Sequence, residues 1–362
     1  MTKYPDYISP KREPVKTPDS IVENGQVHFG TFDAPFKNLN LLDCKKPCGK
    51  KMPDCMKKGR LVEWEAFEVH FDEGALISAV YNTGPMGFSI FVWYDKKEDK
   101  IYSWRNLVPK KKAKVAAQLI DDYCYCKTSK SEYRIDNDFL NGKAAAKGYS
   151  KGRSGSFEID VKFERVSPLA NGVMPLAKNK DGSFRNALYS EKDFFKATGT
   201  ITVNGKTYTS NERSVGIIDD HKGYYPFKAH YDWLTTMGVL NDGGKERLFA
   251  FNLTRNQSVD QDSYNENVIW VEGESFPMPP VKFTHKNGKK KAKEWYVKDE
   301  KGLVDITFKI NKVYYSPIHA LVIDCYYALP YGYISGYVTD TNGKKYVVDG
   351  MLGIGEDKTT RM

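Results

Sequence analysis

The residues best suited to chemistry are concentrated in one stretch, Gly216–Gly238, which reads GIIDDHKGYYPFKAHYDWLTTMG. From Asp219 to Trp233 this stretch contains three aspartates, two of the six histidines, three tyrosines and a tryptophan. Carboxyl and imidazole groups beside aromatic surface can exchange protons with a substrate, which is general acid–base chemistry. We therefore expect a functional site here. The alternative is a polar patch that satisfies hydrogen bonds where two sheets meet.

Strand geometry decides which of these groups can act together. Successive side chains of a β-strand point to opposite faces. This alternation places Asp219 with His221 on one face and Asp220 on the other, and it places His230 with Asp232. The predicted catalytic residues are therefore Asp219, Asp220, His221, His230 and Asp232, with Asp219 and His221 as the first choice and Asp220 as an open alternative.

The aromatic residues of the stretch define the chemistry that these groups can perform. A carboxyl group surrounded by Tyr224, Tyr225 and Trp233 would be poorly solvated, which raises its pKa and keeps it protonated near neutral pH. Such an acid can deliver a proton to a double bond, an enol or a leaving group, and the aromatic faces can stabilise a developing cation. A neighbouring histidine can take the proton back.

Further binding residues are expected downstream, in FNLTRNQ (251–257) and YNENVIW (264–270). On a strand, Asn252 points away from Arg255, whose guanidinium group can bind a carboxylate. Glu266 and Trp270 share a face if 264–270 is also a strand. The predicted substrate-binding residues are Tyr224, Tyr225, Trp233, Asn252, Arg255, Glu266 and Trp270.

Composition excludes several classes of protein. The 362 residues carry a formal charge of +9. The basic residues lie in short clusters without a nucleic-acid-binding motif, so we predict no nucleic-acid partner; the clusters are Lys45–Lys51, Lys110–Lys112 and Lys289–Lys291. No run approaches the roughly 20 apolar residues of a membrane helix. The polar N-terminus lacks the apolar segment of a signal peptide, so a cytoplasmic protein is expected.

Cofactor motifs are absent from the sequence. Cys44, Cys48 and Cys55 form an odd group without a nearby histidine and without the paired C-x2-C spacing of structural zinc sites. We expect ordinary reduced thiols there and leave the role of the three cysteines open. The chain has no P-loop, no G-x-S-x-G and no H-E-x-x-H motif. We therefore predict neither a cofactor nor a metal.

Hydrophobic periodicity predicts an all-β protein of many antiparallel strands. Phe157, Ile159, Val161 and Phe163 alternate with charged residues, which is typical of a half-buried strand. The dipeptide Asn204-Gly205 indicates a hairpin between two strands. A helix is considered only for 111–123. Since helices do not alternate with strands, we expect no parallel α/β architecture.

Two segments of the sequence, 199–222 and 336–358, resemble each other. Each consists of an Asn-Gly hairpin, a short spacer and the pattern Gly-Ile-x-acid-Asp before a lysine. We interpret each copy as the closing end of a β-domain. The predicted organisation is an extended arm (1–28), an N-terminal β-domain (29–222) and a C-terminal β-domain (223–362). The second copy lacks the histidine and the aromatic residues, so we expect one active cleft between the two domains.

Five segments together resemble the DUF2804 family from about residue 29 to residue 358. They read GTFDAPFKNLN, GIIDDHKGYYPFKAHYDW, FAFNLTRNQ, YNENVIW and DGMLGIGEDK. That family is distantly similar to AttH-like and carotenoid 1,2-hydratase (CrtC) proteins. The resemblance implies two lipocalin-like β-barrel or sandwich domains in tandem. It also implies that Asp219 or Asp220, with His221, protonates a double bond, while Trp233 forms a wall or stabilises the cation.

Three functions agree with these observations. The first is a cofactor-free hydratase, lyase or isomerase that transfers protons on a small, apolar or cyclic molecule. The second is a calycin-type protein that holds a lipophilic ligand unchanged. The third is a glycoside-directed enzyme that uses paired carboxylates, such as Asp219 with Glu266 or Asp232. The substrate, the direction of the reaction and the oligomeric state stay open.

Overall fold

The computed structural model describes residues 4–84, 86–286, 288, 292–320 and 323–361, so the basic cluster Lys289–Lys291 lies outside the described residues. The chain divides into two compact units. The first unit is Pro14–Tyr225, and the second unit combines Met1–Glu13 with Pro226–Met362. The boundaries after residues 28 and 222 stay predictions about independently folding domains.

The first unit is an antiparallel sheet that curls into a nearly closed barrel. The main sheet has the order β7-β6-β5-β4-β16-β14-β12-β11-β10-β9-β8, and β8 returns to contact β5 and β6. The strands of this unit are β1 (Val22–Glu23), β2 (Gln26–Val27), β3 (Gly30–Phe32), β4 (Val62–Phe71), β5 (Gly74–Asn82), β6 (Met86–Asp95), β7 (Lys100–Pro109), β8 (Ala113–Lys114), β9 (Asp122–Lys127), β10 (Ser131–Asp138), β11 (Lys143–Gly152), β12 (Gly155–Arg165), β13 (Ala170–Lys178), β14 (Phe184–Val203), β15 (Lys206–Thr209) and β16 (Val215–Gly223).

The second unit is a half-barrel, also antiparallel. Its order is β20-β19-β18-β17-β27-β25-β23-β22-β21, and β24 and β26 pair with β25. The strands are β17 (Lys228–Asp242), β18 (Lys245–Arg255), β19 (Val268–Val271), β20 (Glu274–Pro277), β21 (Lys282–His285), β22 (Glu294–Lys298), β23 (Val304–Tyr315), β24 (Ile318–Ala320), β25 (Ile323–Thr339), β26 (Lys345–Val347) and β27 (Leu352–Arg361).

Helices are few and short in the described part of the chain. The α-helix α1 spans Asp54–Arg60, and single 3₁₀ turns span Pro10–Arg12, Leu41–Asp43, Lys110–Lys112 and Phe139–Asn141. None of the described helices is long and apolar enough to cross a membrane.

The alternating pattern of β12 shows why the sequence forms strands. Phe157, Ile159, Val161 and Phe163 are buried in the barrel core, whereas the charged residues between them are exposed. Each such buried side chain stabilises the fold by roughly 1.5–3 kcal/mol. The predicted all-β class, with two lipocalin-like units, is confirmed.

The helix considered for 111–123 is wrong. This segment contains a 3₁₀ turn, the short strand β8 and a loop before β9. Ala113, Ala116 and Leu119 are buried in the barrel core, and their spacing imitates a helical face. The loop is held instead by side chains that bond to the backbone: Asp122 accepts from the N–H of Ala117 at 2.6 Å. Such local bonds compete with helix formation.

The two similar segments of the sequence are also similar in topology. In the first, β15 pairs with β14 and β16 then returns to pair with β14. In the second, β26 pairs with β25 and β27 then returns to pair with β25. Asn204 and Gly205 have φ angles of 54° and 81°, as a two-residue hairpin turn with left-handed residues requires. Both predicted hairpins are confirmed.

The N-terminal segment is attached to the second unit by Arg12. The Arg12 side chain is buried and donates hydrogen bonds to Asn265 Oδ1, to the Met278 carbonyl oxygen at 3.1 Å and to the Asn267 carbonyl oxygen at 2.9 Å. These bonds satisfy a guanidinium group that burial would otherwise destabilise. The second unit is therefore built from both ends of the chain.

Candidate functional site

Strand β16 carries the predicted acids in the middle of the first unit's sheet, between β14 and β4. Asp220 is on the interior face of the barrel, together with Ile218 of the hydrophobic core. Asp219 and His221 are on the opposite, outer face, where Asp219 stands across from Lys192 of β14. The predicted division of the acids between two faces is confirmed.

Asp219 and His221 form a polar cluster with Lys192 and Tyr225. His221 Nε2 lies 3.1 Å from Asp219 Oδ1, and His221 Nδ1 lies 3.2 Å from the Tyr225 hydroxyl oxygen. Lys192 Nζ donates to Asp219 and lies 3.4 Å from His221 Nε2. The Trp64 indole N–H donates to Asp219 Oδ2 at 3.2 Å. We name Lys192, Asp219, His221 and Tyr225 the outer cluster.

The outer cluster keeps Asp219 ionised. Burial by itself raises the pKa of Asp219, but the positive charges of His221 and Lys192 hold that pKa well below its usual value. The Lys192 side chain is 3% exposed and that of Asp219 is 16% exposed, so water screens the pair only weakly. Asp219 is therefore a fixed negative charge. The raised pKa expected of a carboxyl group in this stretch belongs to Asp220.

A row of stacked rings begins at His221 and crosses the outer face of the sheet. In register, His221 stands opposite Trp64, Trp64 opposite Tyr81, and Tyr81 opposite Phe88. The Trp64 and Tyr81 rings are 4.9 Å apart and tilted by 8°, and the Tyr81 and Phe88 rings are 4.9 Å apart and tilted by 7°. The His221 ring is 4.6 Å from Trp64. We name Trp64, Tyr81 and Phe88 the aromatic ladder.

Asp220 belongs to a separate group of acids inside the barrel. It stands opposite Glu65 of β4 and Glu191 of β14, and all three side chains are fully buried. Within the described residues, neither carboxylate oxygen of Asp220 has a hydrogen-bond partner. We name Glu65, Glu191 and Asp220 the inner cluster. It lies on the opposite face of the sheet from the aromatic ladder.

Burial favours the protonated form of the inner cluster. It raises the pKa of Asp220 to about 6 and, together with the neighbouring charge of Asp220, raises the pKa of Glu65 to about 8. Burial also raises the pKa of Glu191 well above its usual value. Glu65 Oε2 accepts hydrogen bonds from Cys124 Sγ and Asn137 Nδ2, both at 2.9 Å. Glu65 and Glu191 hold protons in the core at neutral pH because charged carboxylates there would be poorly solvated, whereas the buried Lys222 charge limits the rise in the pKa of Asp220.

The second predicted pair, His230 and Asp232, shares one face of β17, as predicted from strand alternation. His230 Nε2 lies 3.2 Å from Asp232 Oδ2. Asp232 stands opposite Asp357 of β27, and His230 Nδ1 lies 3.6 Å from Asp357 Oδ1. His285 Nε2, at the end of β21, lies 2.9 Å from Asp232 Oδ1. We name His230, Asp232, His285 and Asp357 the histidine–aspartate cluster.

The predicted aromatic walls are divided between the two units. Tyr225 joins the outer cluster, whereas Tyr224 packs into a hydrophobic cluster with Phe36, where burial raises the pKa of its hydroxyl group. Trp233 is part of the second unit, and its indole N–H donates to Asn252 Oδ1 at 2.5 Å. The structure therefore brings Tyr225 together with His221 but places Tyr224 in the core.

The other predicted binding residues form a buried hydrogen-bonded region in the second unit. Asn252 Nδ2 donates to the Glu266 carbonyl oxygen at 2.8 Å, and Trp270 is fully buried. The Arg255 side chain is exposed and donates to the carbonyl oxygen of the next residue at 2.7 Å. The strand expected over 264–270 is wrong, because β19 begins at Val268 and Glu266 lies in the preceding loop. Asparagine side chains in that loop bond to backbone N–H groups, which competes with strand pairing.

Sequence reasoning missed four residues of the outer face: Lys192, Trp64, Tyr81 and Phe88. Each reaches the site through strand pairing, of β14 with β16, of β4 with β16, of β5 with β4 and of β6 with β5. The only local signal was the alternation around Trp64, where Trp64 and Ala66 share the face opposite Phe67. His285 has no local signal in the sequence, because its contact with Asp232 depends on the curvature of the half-barrel.

The sequence matches one protein-family model, described as a domain of unknown function (DUF2804), over residues 12–362. The chain belongs to the DUF2804 family. The resemblance inferred from the five sequence segments is thereby confirmed. Among curated protein sequences, none matches this chain.

Solved structures with a similar fold include three that cover most of this DUF2804 chain. The crystal structure of CghA with Sch210972 has a TM-score of 0.51 at 8% sequence identity and covers 84% of this chain and 89% of that chain. Kievitone hydratase from Nectria haematococca has a TM-score of 0.48 at 11% identity and covers 83% and 88%. An AttH-like protein from Nitrosomonas europaea has a TM-score of 0.34 at 11% identity and covers 84% and 93%. At such low identity the likeness concerns the fold.

Proposed function

We propose that this protein is an acid–base enzyme whose outer cluster moves a proton on a small, flat, largely apolar molecule. The observation that carries the proposal is the position of the His221 ring. It packs against Trp64 at the end of the aromatic ladder with its plane tilted by 34°, while its two nitrogen atoms contact Asp219 and Tyr225. A proton-carrying group and an apolar binding surface thus meet at one residue.

Each residue of the outer cluster has a different role in proton transfer. Asp219, kept ionised by Lys192, orients His221 and favours the charged imidazolium form. In the forward direction the Tyr225 hydroxyl gives its proton to a substrate carbon, and the Nδ1–H of the imidazolium replaces that proton. In the reverse direction Tyr225 takes a proton from the substrate and neutral His221 accepts one at Nδ1. General acid–base catalysis of this kind typically contributes ~10²–10⁴-fold to the rate.

The aromatic ladder defines the class of substrate. Tyr81 and Phe88 are half-buried, so the ladder has accessible ring surface beside the outer cluster. A flat unsaturated or aromatic molecule stacks on such rings, and each good aromatic contact contributes about 0.5–1.5 kcal/mol. The ring faces also attract a positive charge, which forms when a double bond is protonated. We therefore assign hydration, elimination or isomerisation of an unsaturated molecule as the reaction class.

Asp220 has no contact with substrate in this proposal. Its raised pKa suits an acid catalyst, but its side chain faces the barrel interior with Glu65 and Glu191. The substrate-facing proton donor is assigned to the Tyr225–His221 pair instead, with Asp219 as the positioning residue.

The test uses heavy water, because these reactions place a solvent hydrogen on carbon. The purified full-length protein is incubated in D₂O with a small-molecule extract of its host cells, and mass spectrometry detects molecules that gain carbon-bound deuterium. We expect labelling by the wild type. We expect at least ~100-fold slower labelling by His221→Gln and Tyr225→Phe. His28→Gln is the matched control, because His28 is a partly exposed residue that pairs with Glu23.

Two results would contradict the proposal. Equal labelling by the wild type and by His221→Gln would remove the outer cluster from the reaction. A molecule that co-purifies with the wild type but gains no deuterium would show that the ladder binds a ligand without changing it.

A further inference from the structure

We infer that the histidine–aspartate cluster of the second unit is a binding site for one divalent transition-metal ion. His230, Asp232 and Asp357 each offer one ligand atom, and these atoms all lie within 4.8 Å of one another. Roughly 2.0–2.2 Å bonds to zinc place neighbouring ligand atoms ~3–3.5 Å apart. The 3.2 Å between His230 Nε2 and Asp232 Oδ2 falls in that range. Small side-chain adjustments therefore suffice to enclose an ion.

The hydrogen bonds of His230 favour a lone pair that faces the acids. His230 Nδ1 lies 3.1 Å from the Lys358 carbonyl oxygen. His230 Nδ1 also lies 3.0 Å from the Thr359 hydroxyl oxygen, so both contacts suit an Nδ1 atom that carries hydrogen. In that tautomer the Nε2 lone pair faces Asp232 and is available to a cation bound between them. A histidine that donates one N–H to a backbone carbonyl and binds metal with the other nitrogen is the usual arrangement in metal sites.

The two carboxylates require positive charge close by. Asp232 and Asp357 stand opposite each other in register, and their side chains are 8% and 1% exposed. Adjacent carboxylates in so dry a position are strongly unfavourable without a compensating cation. Arg255 is opposite Asp232 on the other neighbouring strand, but its guanidinium group donates to the Asn256 carbonyl oxygen. A divalent ion bound between the two carboxylates supplies such a charge.

His285 provides an independent observation. Its side chain is 4% exposed, and its ring stacks on Trp295 at 4.6 Å, which fixes its orientation. Its Nε2 lies 2.9 Å from Asp232 Oδ1 and its Nδ1 lies 3.9 Å from Asp357 Oδ2, so its ring nitrogens face both acids. His285 is a neighbour of the group formed by His230, Asp232 and Asp357 and not a member of it. We assign His285 as the fourth ligand, which its ring reaches by moving toward the ion.

The ligand types limit the choice of metal. Imidazole nitrogen with carboxylate oxygen suits Zn²⁺ and also Fe²⁺, Mn²⁺ and Ni²⁺, whereas Mg²⁺ and Ca²⁺ prefer oxygen ligands alone. His230 is the most exposed member, with 32% of its side chain exposed, and it marks the route by which an ion enters. We choose Zn²⁺ as the probe.

The test is calorimetric titration of the chelator-treated full-length protein with ZnCl₂. We expect one Zn²⁺ per chain in the wild type and at least ~10-fold weaker binding in Asp232→Asn and His230→Gln. Zinc also binds free thiolates, so Cys55→Ser is a control that removes an exposed cysteine and leaves the expected site intact. Glu23→Gln is the second control, because it changes a half-exposed, histidine-paired carboxylate of the first unit.

A second measurement distinguishes a variant that has lost zinc binding from a variant that does not fold. Zinc that binds the folded state raises the thermal midpoint, so we expect a rise in the wild type and none in His230→Gln, whose partly exposed position tolerates substitution. Less than one site per chain, or binding lost only in Cys55→Ser, would overturn the inference. Equal zinc affinity in the wild type and both cluster variants would also overturn it. These readouts measure binding and do not depend on the proposed enzyme activity.

Discussion

Strands β16 and β27 have the same place in the two repeated segments but distribute charge differently. Each carries two adjacent acids, Asp219 and Asp220 in β16, and Glu356 and Asp357 in β27. In β16 the cationic partner, Lys192, stands on the outer face. In β27 the two histidines approach the acid on the core face, Asp357. The neighbouring strands therefore decide which acid of each pair contacts their basic side chains.

Our proposals place chemistry in both copies of the repeat, whereas the sequence led us to expect it in the first copy alone. The second copy lacks a histidine in its own sequence, but β17 and β21 supply His230 and His285 to the same position. The repeat thus provides a scaffold with one acid on each face. In the first unit we assign the outer face to proton transfer, and in the second unit the core face to metal binding.

The largest expected difference between β16 and β27 is in stability, when the acid on the outer face of each strand is replaced. Asp219→Asn leaves the Lys192 charge buried and uncompensated, so we expect a loss of about 3–5 kcal/mol in the free energy of unfolding. Glu356→Gln should cost less than ~1 kcal/mol, because a glutamine oxygen still accepts the 2.8 Å hydrogen bond from Tyr231. Urea denaturation followed by tryptophan fluorescence measures both. In the double variant Lys192→Met with Asp219→Asn, most of the loss should be recovered; equal losses in the two single variants would refute the comparison.

A smaller effect should appear in the pH dependence of the protein's stability, to which the inner cluster contributes. The raised pKa values of Asp220 (about 6) and Glu65 (about 8) mean that the folded state holds protons which the unfolded chain releases above roughly pH 4. The stability that these groups contribute is complete below that pH and is lost as the pH rises through 6 to 8. The free energy of unfolding should therefore fall by about 2 kcal/mol less between pH 5 and pH 8.5 in Glu65→Gln than in the wild type.

Denaturation midpoints at the two pH values check this expectation. Asp136→Asn is the control, because its carboxylate is 51% exposed on the outside of the same barrel. An unchanged decline in Glu65→Gln would show that the inner acids are ionised in the folded state.

The smallest expected difference concerns the two hairpins. Asn204 has a φ angle of 54°, and its side chain accepts from the Ser156 N–H at 2.8 Å and donates to the Ser154 carbonyl oxygen at 3.0 Å. Asn204→Ala should therefore cost about 1–2 kcal/mol. Asn342→Ala should cost only a few tenths of a kcal/mol, since Asn342 is outside the left-handed region. Thermal midpoints of the two variants, measured side by side, decide whether the hairpins differ in this way.

The local features of the fold were predictable, whereas the features that depend on strand pairing were not. Alternation and Asn-Gly turns involve residues that are neighbours in sequence. The strands, the hairpins and the placement of Asp219 and Asp220 on opposite faces therefore follow directly from the sequence. Lys192 and Trp64 contact Asp219 from positions 27 and 155 residues away, and a single sequence contains no signal for that register. Helix α1 was missed because none of its residues is buried, so its sequence has no periodic apolar face.

Arg12 also sets the order in which the protein can be assembled. It is separated by 253 residues from its partner Asn265, so the contact closes a loop that costs ~5 kcal/mol of chain entropy. On the ribosome the first unit is complete, and free to fold, while the second is still being synthesised. The second unit has to wait, because its strands from Pro226 onward leave the ribosome after the whole of the first unit. A fragment that begins at Pro226 would lack the guanidinium group and leave the carbonyl oxygens of Asn267 and Met278 without it.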